Sequence, residues 1–284
     1  MKHLVAHRLN SLALVVGLLL YSSMTPAQTL FTDNFATNAS PLWSNLRGAW
    51  FAANGAYSCA LPNNAPPTLS ALPFVLQDFA VDMDIQQVGD GGVWLRCDAT
   101  GSNGILLVTG GNGWGSGVRG GNAGRSLYWH TVSHGTYSGA LNQVFNVFNP
   151  GVDNIHLRIE VTGNYYAVFL NGATNPVITL TDADHIASSG FVGLYDFSAQ
   201  TFHNFSLQVP PGYSPYAITI QPADPTHVNL LWPTNAFAWA LEATTSLSPS
   251  AWQTLTDPPS RNGTNFLLPV EKTASQQFFR LHKP

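Results

Sequence analysis

Gly91 to Asp98 reads GGVWLRCD, and its alternation assigns two faces at once. Val93, Leu95 and Cys97 point one way, while Trp94, Arg96 and Asp98 point the other. The first face is core. The second would carry an indole, a guanidinium and a carboxylate in a row, a costly set to display on a sheet unless something uses or covers it. The stretch is therefore expected to be the central strand of a β-sandwich whose polar, aromatic face is the candidate site.

Working outward, only 9% of the 284 residues are charged and 45% are hydrophobic, which describes a globular chain with enough apolar surface for a core. The 25 glycines and 19 prolines punctuate short runs rich in aromatic residues, Thr, Val and Ile, so many short strands joined by turns are expected. The clearest are Phe79 to Gln86, Val93 to Asp98, Ile105 to Thr109, Ser126 to Val132, Asn154 to Val161, Tyr165 to Leu170, Phe191 to Tyr195 and Phe202 to Gln208. Ile155, Leu157, Ile159 and Val161 alternate with His156, Arg158 and Glu160, and Gly163-Asn164 turns the chain back as a hairpin. Together they predict an all-β chain, a two-sheet antiparallel jelly-roll sandwich.

The N-terminus reads as an export signal. Lys2 and Arg8 precede an apolar run from Leu12 to Tyr21, and Thr25-Pro-Ala27 offers small residues for cleavage before Gln28. The run is too short for a membrane-spanning helix, so residues 1–27 are expected to be a signal peptide and the protein to be secreted, without a transmembrane anchor. A net charge of −4 without basic clusters excludes a nucleic-acid binder. In an exported protein the two cysteines, Cys59 and Cys97, invite a disulfide, since alternation turns both toward the interior. The alternative is a pair of buried thiols acting as small hydrophobes.

Removing the signal leaves a chain near the size at which one core divides into two. Val209-Pro-Pro-Gly-Tyr-Ser-Pro215 interrupts the strand pattern, so residues 28–209 are expected as the first domain, 210–216 as a linker and 217–284 as a small second β-sandwich.

A resemblance accompanies this pattern. Phe31-Thr-Asp-Asn-Phe35, Trp50 before Asn54-Gly55, Asp78-Phe79, GGVWLR, HLRIEVTGNYYAVFLNG, GFVGLY and FHNFSLQV follow in an order that resembles the concanavalin A-like lectin/glucanase sandwich, particularly the secreted bacterial laminin-G-like and 3-keto-disaccharide hydrolase types. The resemblance covers most of residues 30–209 and implies lectins, glycanases and adhesive modules as the candidate functions. Trp239-Ala-Leu-Glu-Ala-Thr-Thr-Ser-Leu247, Trp252 and Phe278-Phe-Arg-Leu281 resemble the Ig/fibronectin-like tail modules of secreted bacterial proteins, which imply no chemistry of their own.

Glycosidases need two carboxyl groups flanking the scissile bond. Asp82 and Asp84 lie on the side of their strand opposite Phe79, Val81, Met83 and Ile85. If that strand neighbours the Gly91 strand, they join Trp94, Arg96 and Asp98 in an acidic, aromatic groove. Laminarinase-like members of the resembling fold use a strand motif of glutamates around an aspartate, and this chain lacks it. Glu160, Glu242 and Glu271 lie elsewhere. The alternative for the aspartates is a solvated strand surface paired with Arg96.

Gly115-Ser-Gly117-Val-Arg-Gly120 matches a dinucleotide fingerprint, but a strand follows where that motif needs a helix. The Gly110–Gly124 stretch is instead expected to be a long loop whose Trp114, Arg119 and Arg125 form a ligand rim or merely a hairpin tip. His130 and His134 have zinc-like spacing, yet four residues of strand span about 13 Å, which excludes a shared ion. Tyr128 and His130 share a strand face and are candidate groove residues. No cofactor is implied, although Asp33, Asp182 and Asp184 could give calcium its oxygen ligands in loops.

The leading expectation is a secreted carbohydrate-binding or adhesive module that takes a polysaccharide or oligosaccharide through Trp94, Arg96, Asp98, Asp82, Asp84, Tyr128, His130 and Trp114. One alternative is a glycan-active hydrolase using Asp82, Asp84 or Asp98. The other is a structural cell-surface module without a small ligand, its Trp94 face covered by loops.

Overall fold

The computed structural model describes residues 27–110, 125–211, 213, 216–236, 239–249 and 251–282. The alternating segments form sixteen strands up to residue 209: β1 (Gln28–Asp33), β2 (Ser44–Arg47), β3 (Trp50–Ala53), β4 (Ala56–Cys59), β5 (Leu69–Ala71), β6 (Phe79–Gln86), β7 (Gly91–Cys97) and β8 (Gly104–Thr109). After them come β9 (Leu127–Ser133), β10 (Thr136–Tyr137), β11 (Leu141–Val144), β12 (Ile155–Thr162), β13 (Tyr165–Leu170), β14 (Ile178–Thr181), β15 (Phe191–Asp196) and β16 (Thr201–Val209). One eight-stranded sheet runs β14-β13-β12-β6-β16-β4-β3, with β1 also on β16. The other runs β10-β9-β8-β7-β15-β5-β2, with β11 also on β9. The strand pairs are antiparallel, and the interleaved order is that of a jelly-roll sandwich.

The core lies between the sheets. Val81, Met83 and Ile85 of β6, Leu157 and Ile159 of β12, and Phe202 and Leu207 of β16 share one buried cluster with Val93, Leu95, Ile105, Leu107, Trp129, Val192 and Leu194 of the opposing sheet. Each such side chain contributes about 1.5–3 kcal/mol by leaving water. An aromatic group closes one end, where Phe35 stacks on Tyr57 at 4.9 Å and Trp43 meets Phe205 edge-on at 4.9 Å.

Two expectations about the central strands are corrected. First, β6 and β7 follow one another in the chain but lie in different sheets. Their short connection crosses the sandwich, so the outward carboxylates of β6 and the side chains of β7 cannot share a face. Second, β7 does not alternate to its end. Phe191 pairs with Cys97 and Gly193 with Trp94, so β7 has one residue more than β15 over the same span, and Arg96 takes a φ of 49°. This is a β-bulge, and the extra residue reverses the facing of everything after it. Cys97 consequently leaves the Val93 and Leu95 side and joins Trp94 in a second buried cluster on the outer side of the sheet. Gly190 makes the bulge possible, because a Cβ there would sit 2.5 Å from the backbone of Arg96.

The expected Cys59 to Cys97 bridge is corrected for the same reason. Both thiols are buried and unbonded, Cys59 in the main core and Cys97 in the outer cluster.

After residue 216 come β17 (Thr219–Pro222), β18 (His227–Pro233), β19 (Ala240–Thr244), β20 (Gln253–Thr254), β21 (Ser260–Asn262), β22 (Asn265–Glu271) and β23 (Phe278–His282). They form a four-stranded sheet, β17-β18-β22-β21, and a three-stranded one, β20-β19-β23. Leu230, Trp232, Leu241, Leu268 and Leu281 make a core of their own. The segment expected as a linker carries contacts. The Tyr213 hydroxyl donates to the Val75 carbonyl, and the Tyr216 ring meets Phe74 at 6.5 Å and Trp239 at 5.6 Å. Among the described residues no helix is long and apolar enough to cross a membrane.

Candidate functional site

On the outer side of the β7 sheet, strand register lays side chains out in rows. One row runs Gly193, Trp94, Leu106, His130, and the next runs Tyr195, Gly92, Val108, Tyr128. Gly92 has no alternative at its position, since its φ is 147° and a Cβ would meet the Leu107 carbonyl oxygen at 1.9 Å. The second row thus has no side chain between Tyr195 and Val108. Two short segments border these rows, Asn64–Pro67 from the β4–β5 connection and Gly135–Tyr137, which is the end of the β9–β10 turn together with β10. Between them remains a cleft of about 290 Å³, lined also by Asp90, Leu106, Val108, Tyr128, His130 and Tyr195.

The aromatic groups of this face are linked edge to face. Trp94 meets Tyr137 at 6.2 Å, Tyr137 meets His130 at 5.9 Å, and His130 meets Tyr128 at 5.2 Å. Such pairs hold ring orientation as well as area. Trp94 itself is fully buried, and its indole N–H donates to the Thr68 carbonyl at 3.3 Å, tying the sheet to the segment that forms one wall.

Asp90 is half-buried at the start of β7 and accepts a hydrogen bond from the Tyr195 hydroxyl at 3.0 Å. Burial pushes its carboxyl up to about 6, against the pull of that bond. Behind it Asp196 is wholly buried. Desolvation raises it to about 7 although Ser198 donates to Oδ1 from both backbone and hydroxyl, and its Oδ2 has no partner among the described residues. His130 sits 2.8 Å from the Ser138 carbonyl through Nδ1. A carbonyl only accepts, so Nδ1 carries the proton, and burial depresses the pKa and keeps the ring neutral near pH 7.

Of the residues expected from sequence, Tyr128 and His130 line the cleft. Trp94 lies beneath it as buried support, not as an exposed plate, because the covering segments and its own tyrosine neighbour seal it. The bulge sends Arg96 away from Trp94. It is buried and reaches toward the opposing sheet, donating to the Gln77 carbonyl at 2.9 Å, the Tyr166 hydroxyl at 3.1 Å and the Ala187 carbonyl at 3.0 Å, with Asp78 at 3.6 Å. Asp98 belongs to the β7–β8 turn. Burial opposes its charge, but donors from Thr100, Ser102 and Asn103 hold it down at about 2.

Asp82 and Asp84 lie on the outer face of the β6 sheet, opposite Arg158 and His156 in register. Arg158 donates to Asp82 at 2.6 Å and to Glu160 at 2.8 Å. Asp84 accepts from His156 at 2.8 Å and from Asn204 at 2.7 Å. Partial burial works against its ionised form, yet those bonds prevail and lower its pKa. Trp114 lies outside the described residues.

The loop carboxylates are already engaged. Asp33 accepts from the backbone of Phe35 and Ser40 and from the Trp43 indole, and Asp182 accepts from the backbone of Ile186 and Ala187. Asp184 stands exposed in a turn. Among the described residues no three His, Cys, Asp or Glu side chains are grouped to hold a metal ion.

Asp90, Tyr137 and Tyr195 were not singled out from sequence. The available signals were a lone carboxylate inside Gly89-Asp-Gly-Gly92 and the Tyr195-Asp196 pair that ends a buried strand.

No family model matches this chain, and no curated protein does. Among solved structures, a carbohydrate-binding module from Bacillus subtilis is 18% identical with a TM-score of 0.48, matching 59% of this chain and 96% of that one. A Bacillus subtilis protein of unknown function with a galectin-like fold is 11% identical with a TM-score of 0.49, over 64% and 98% of the two chains. The catalytic domain of an endo-1,3-β-glucanase (laminarinase) from Thermotoga petrophila is 10% identical with a TM-score of 0.42, over 65% and 98%. At these values no residue role passes from one chain to another.

Proposed function

We propose that the protein is a secreted, non-catalytic carbohydrate-binding module whose site is the cleft over β7, β8 and β9. One observation carries this reading: a cleft of about 290 Å³ whose described lining sets Tyr128, Tyr137, Tyr195 and His130 beside one carboxylate, Asp90. A sugar ring has an apolar C–H face and a rim of hydroxyls, so it needs aromatic surface beside a few polar groups. The cleft offers both. Hydrolysis needs two carboxyl groups across the bond, and Asp90 is the only one among the described lining residues. Asp82, Asp84 and Asp98 are held in ion pairs or in a turn, away from this face.

The export signal and the small C-terminal sandwich fit a module that works outside the cell, with the second, fibronectin-like unit as a spacer. Intact-mass analysis of secreted protein should place the N-terminus at Gln28, and recovery of the uncut chain in membranes would refute export.

The binding test uses Tyr137, which is half-buried at the cleft wall. Tyr137→Ala should weaken glycan binding about tenfold while thermal unfolding stays cooperative. Unchanged binding would move the site off this face, and release of reducing ends by the wild-type protein would make it an enzyme.

A further inference from the structure

The cleft has a sign of charge as well as a shape. Among its described lining residues Asp90 is the one ionised group near neutral pH, and no lysine or arginine is present. Its only described partner is the neutral Tyr195 hydroxyl, so among the described residues the carboxylate has no counter-charge in a partly desolvated place. The remaining described titratable neighbours do not neutralise it. His130 is neutral, Tyr128 and Tyr195 are phenols, and buried Asp196 adds only negative field. Arg47, whose field reaches Tyr137, donates to the Thr100 carbonyl and is not part of the lining.

A half-buried carboxylate flanked by tyrosine rings is complementary to a cation twice over. The carboxylate accepts a charge-assisted hydrogen bond, and ring faces attract positive charge electrostatically. It is poorly matched to a uronate or sulfate, which would place like charges together in a medium that screens them little. Resting on the reading of this cleft as a saccharide site, we infer that its ligand is a glycan containing an amino sugar, with the protonated amine seated on Asp90 among Tyr128, Tyr137 and Tyr195. Binding then depends on pH in a definite direction. It weakens as Asp90 takes up its proton near 6, and weakens again when the amine loses its own proton at higher pH.

The test is calorimetric titration of the full mature chain with oligosaccharides of equal length: glucosamine, N-acetylglucosamine, neutral glucose and uronic acid. The glucosamine oligomer should bind about 10- to 100-fold more tightly than its acetylated counterpart near neutral pH, the span expected for a charge-assisted bond. Asp90→Asn should erase that preference, since the amide still accepts from Tyr195 but carries no charge to meet an amine. High salt should shrink the preference in the unaltered protein, a readout that does not depend on any variant folding. Equal binding of the glucosamine, acetylated and neutral oligomers, or a preference that survives Asp90→Asn, overturns the amine assignment and leaves the saccharide site standing. Tighter binding of the uronic oligomer does the same. Failure of all four to bind overturns both.

Discussion

The two outer faces of the sandwich began from the same alternation and met opposite fates. On the β6 sheet, Asp82, Asp84, His156, Arg158 and Glu160 stand across from one another and satisfy each other's charge. On the β7 sheet, Trp94, Cys97, Leu106, Val108, Tyr128, Val132 and Tyr195 form an apolar layer that needs a cover. Among the described residues the Asn64–Pro67 and Gly135–Tyr137 segments border it, and the cleft is the space between them. A row of charges on a strand is thus no guide to a site when the neighbouring strand neutralises it. The proposed site follows another guide, an outward apolar face with a carboxylate that no described residue neutralises.

That contrast can be broken first at Trp94. Removing a fully buried indole leaves a cavity and an unpaired Thr68 carbonyl, so Trp94→Ala should lower unfolding free energy by about 3–5 kcal/mol. Urea denaturation checks it. A loss under about 1 kcal/mol would mean the outer layer is surface after all.

The second test uses the carboxylate beneath the cleft. The folded-state pKa of Asp196 is raised to about 7, so the folded protein binds more protons than the unfolded chain between about pH 4 and pH 7, and stability falls as pH rises through that window. For this wholly buried group the fall is on the order of 3–4 kcal/mol, complete above about pH 7. Asp90 adds a smaller change of the same sign ending near 6. Asp196→Asn should flatten the dependence of the urea midpoint on pH, and an unaltered slope would show that Asp196 ionises without cost.

The smallest effect is expected on the charged face. Asp84→Asn should cost at most about 1 kcal/mol, because its partners are partly exposed and screened, and should leave glycan affinity unchanged. Since hydrogen bonds from Asn204 and His156 hold the Asp84 pKa down, its contribution is present above the ordinary carboxylate range and is lost as pH falls through its lowered value. A loss of binding in Asp84→Asn would transfer the site to the β6 sheet and reverse the comparison.

Much of the architecture is local and was legible in the chain. Period-two patterns in β6 and β12 named the inward residues correctly, because each strand must bury one face and alternation leaves no choice of which. Gly163 and Asn164 marked their hairpin for a similarly local reason, the backbone conformation that the turn requires. Tyr128 and His130 were correctly placed on one face, and the same short-range logic put them there. Three decisions lay beyond any local pattern. Which sheet receives β7 after β6 depends on long-range pairing with β15 and β8. The bulge at Arg96 depends on a count of residues in two strands far apart in sequence, and it alone moved Cys97 outward and Arg96 toward the opposing sheet. The lack of a counter-charge on Asp90 among the described residues depends on which groups reach it, and that is a property of the assembled surface: sequence supplies the carboxylate, but only the packed neighbours settle whether its charge is answered.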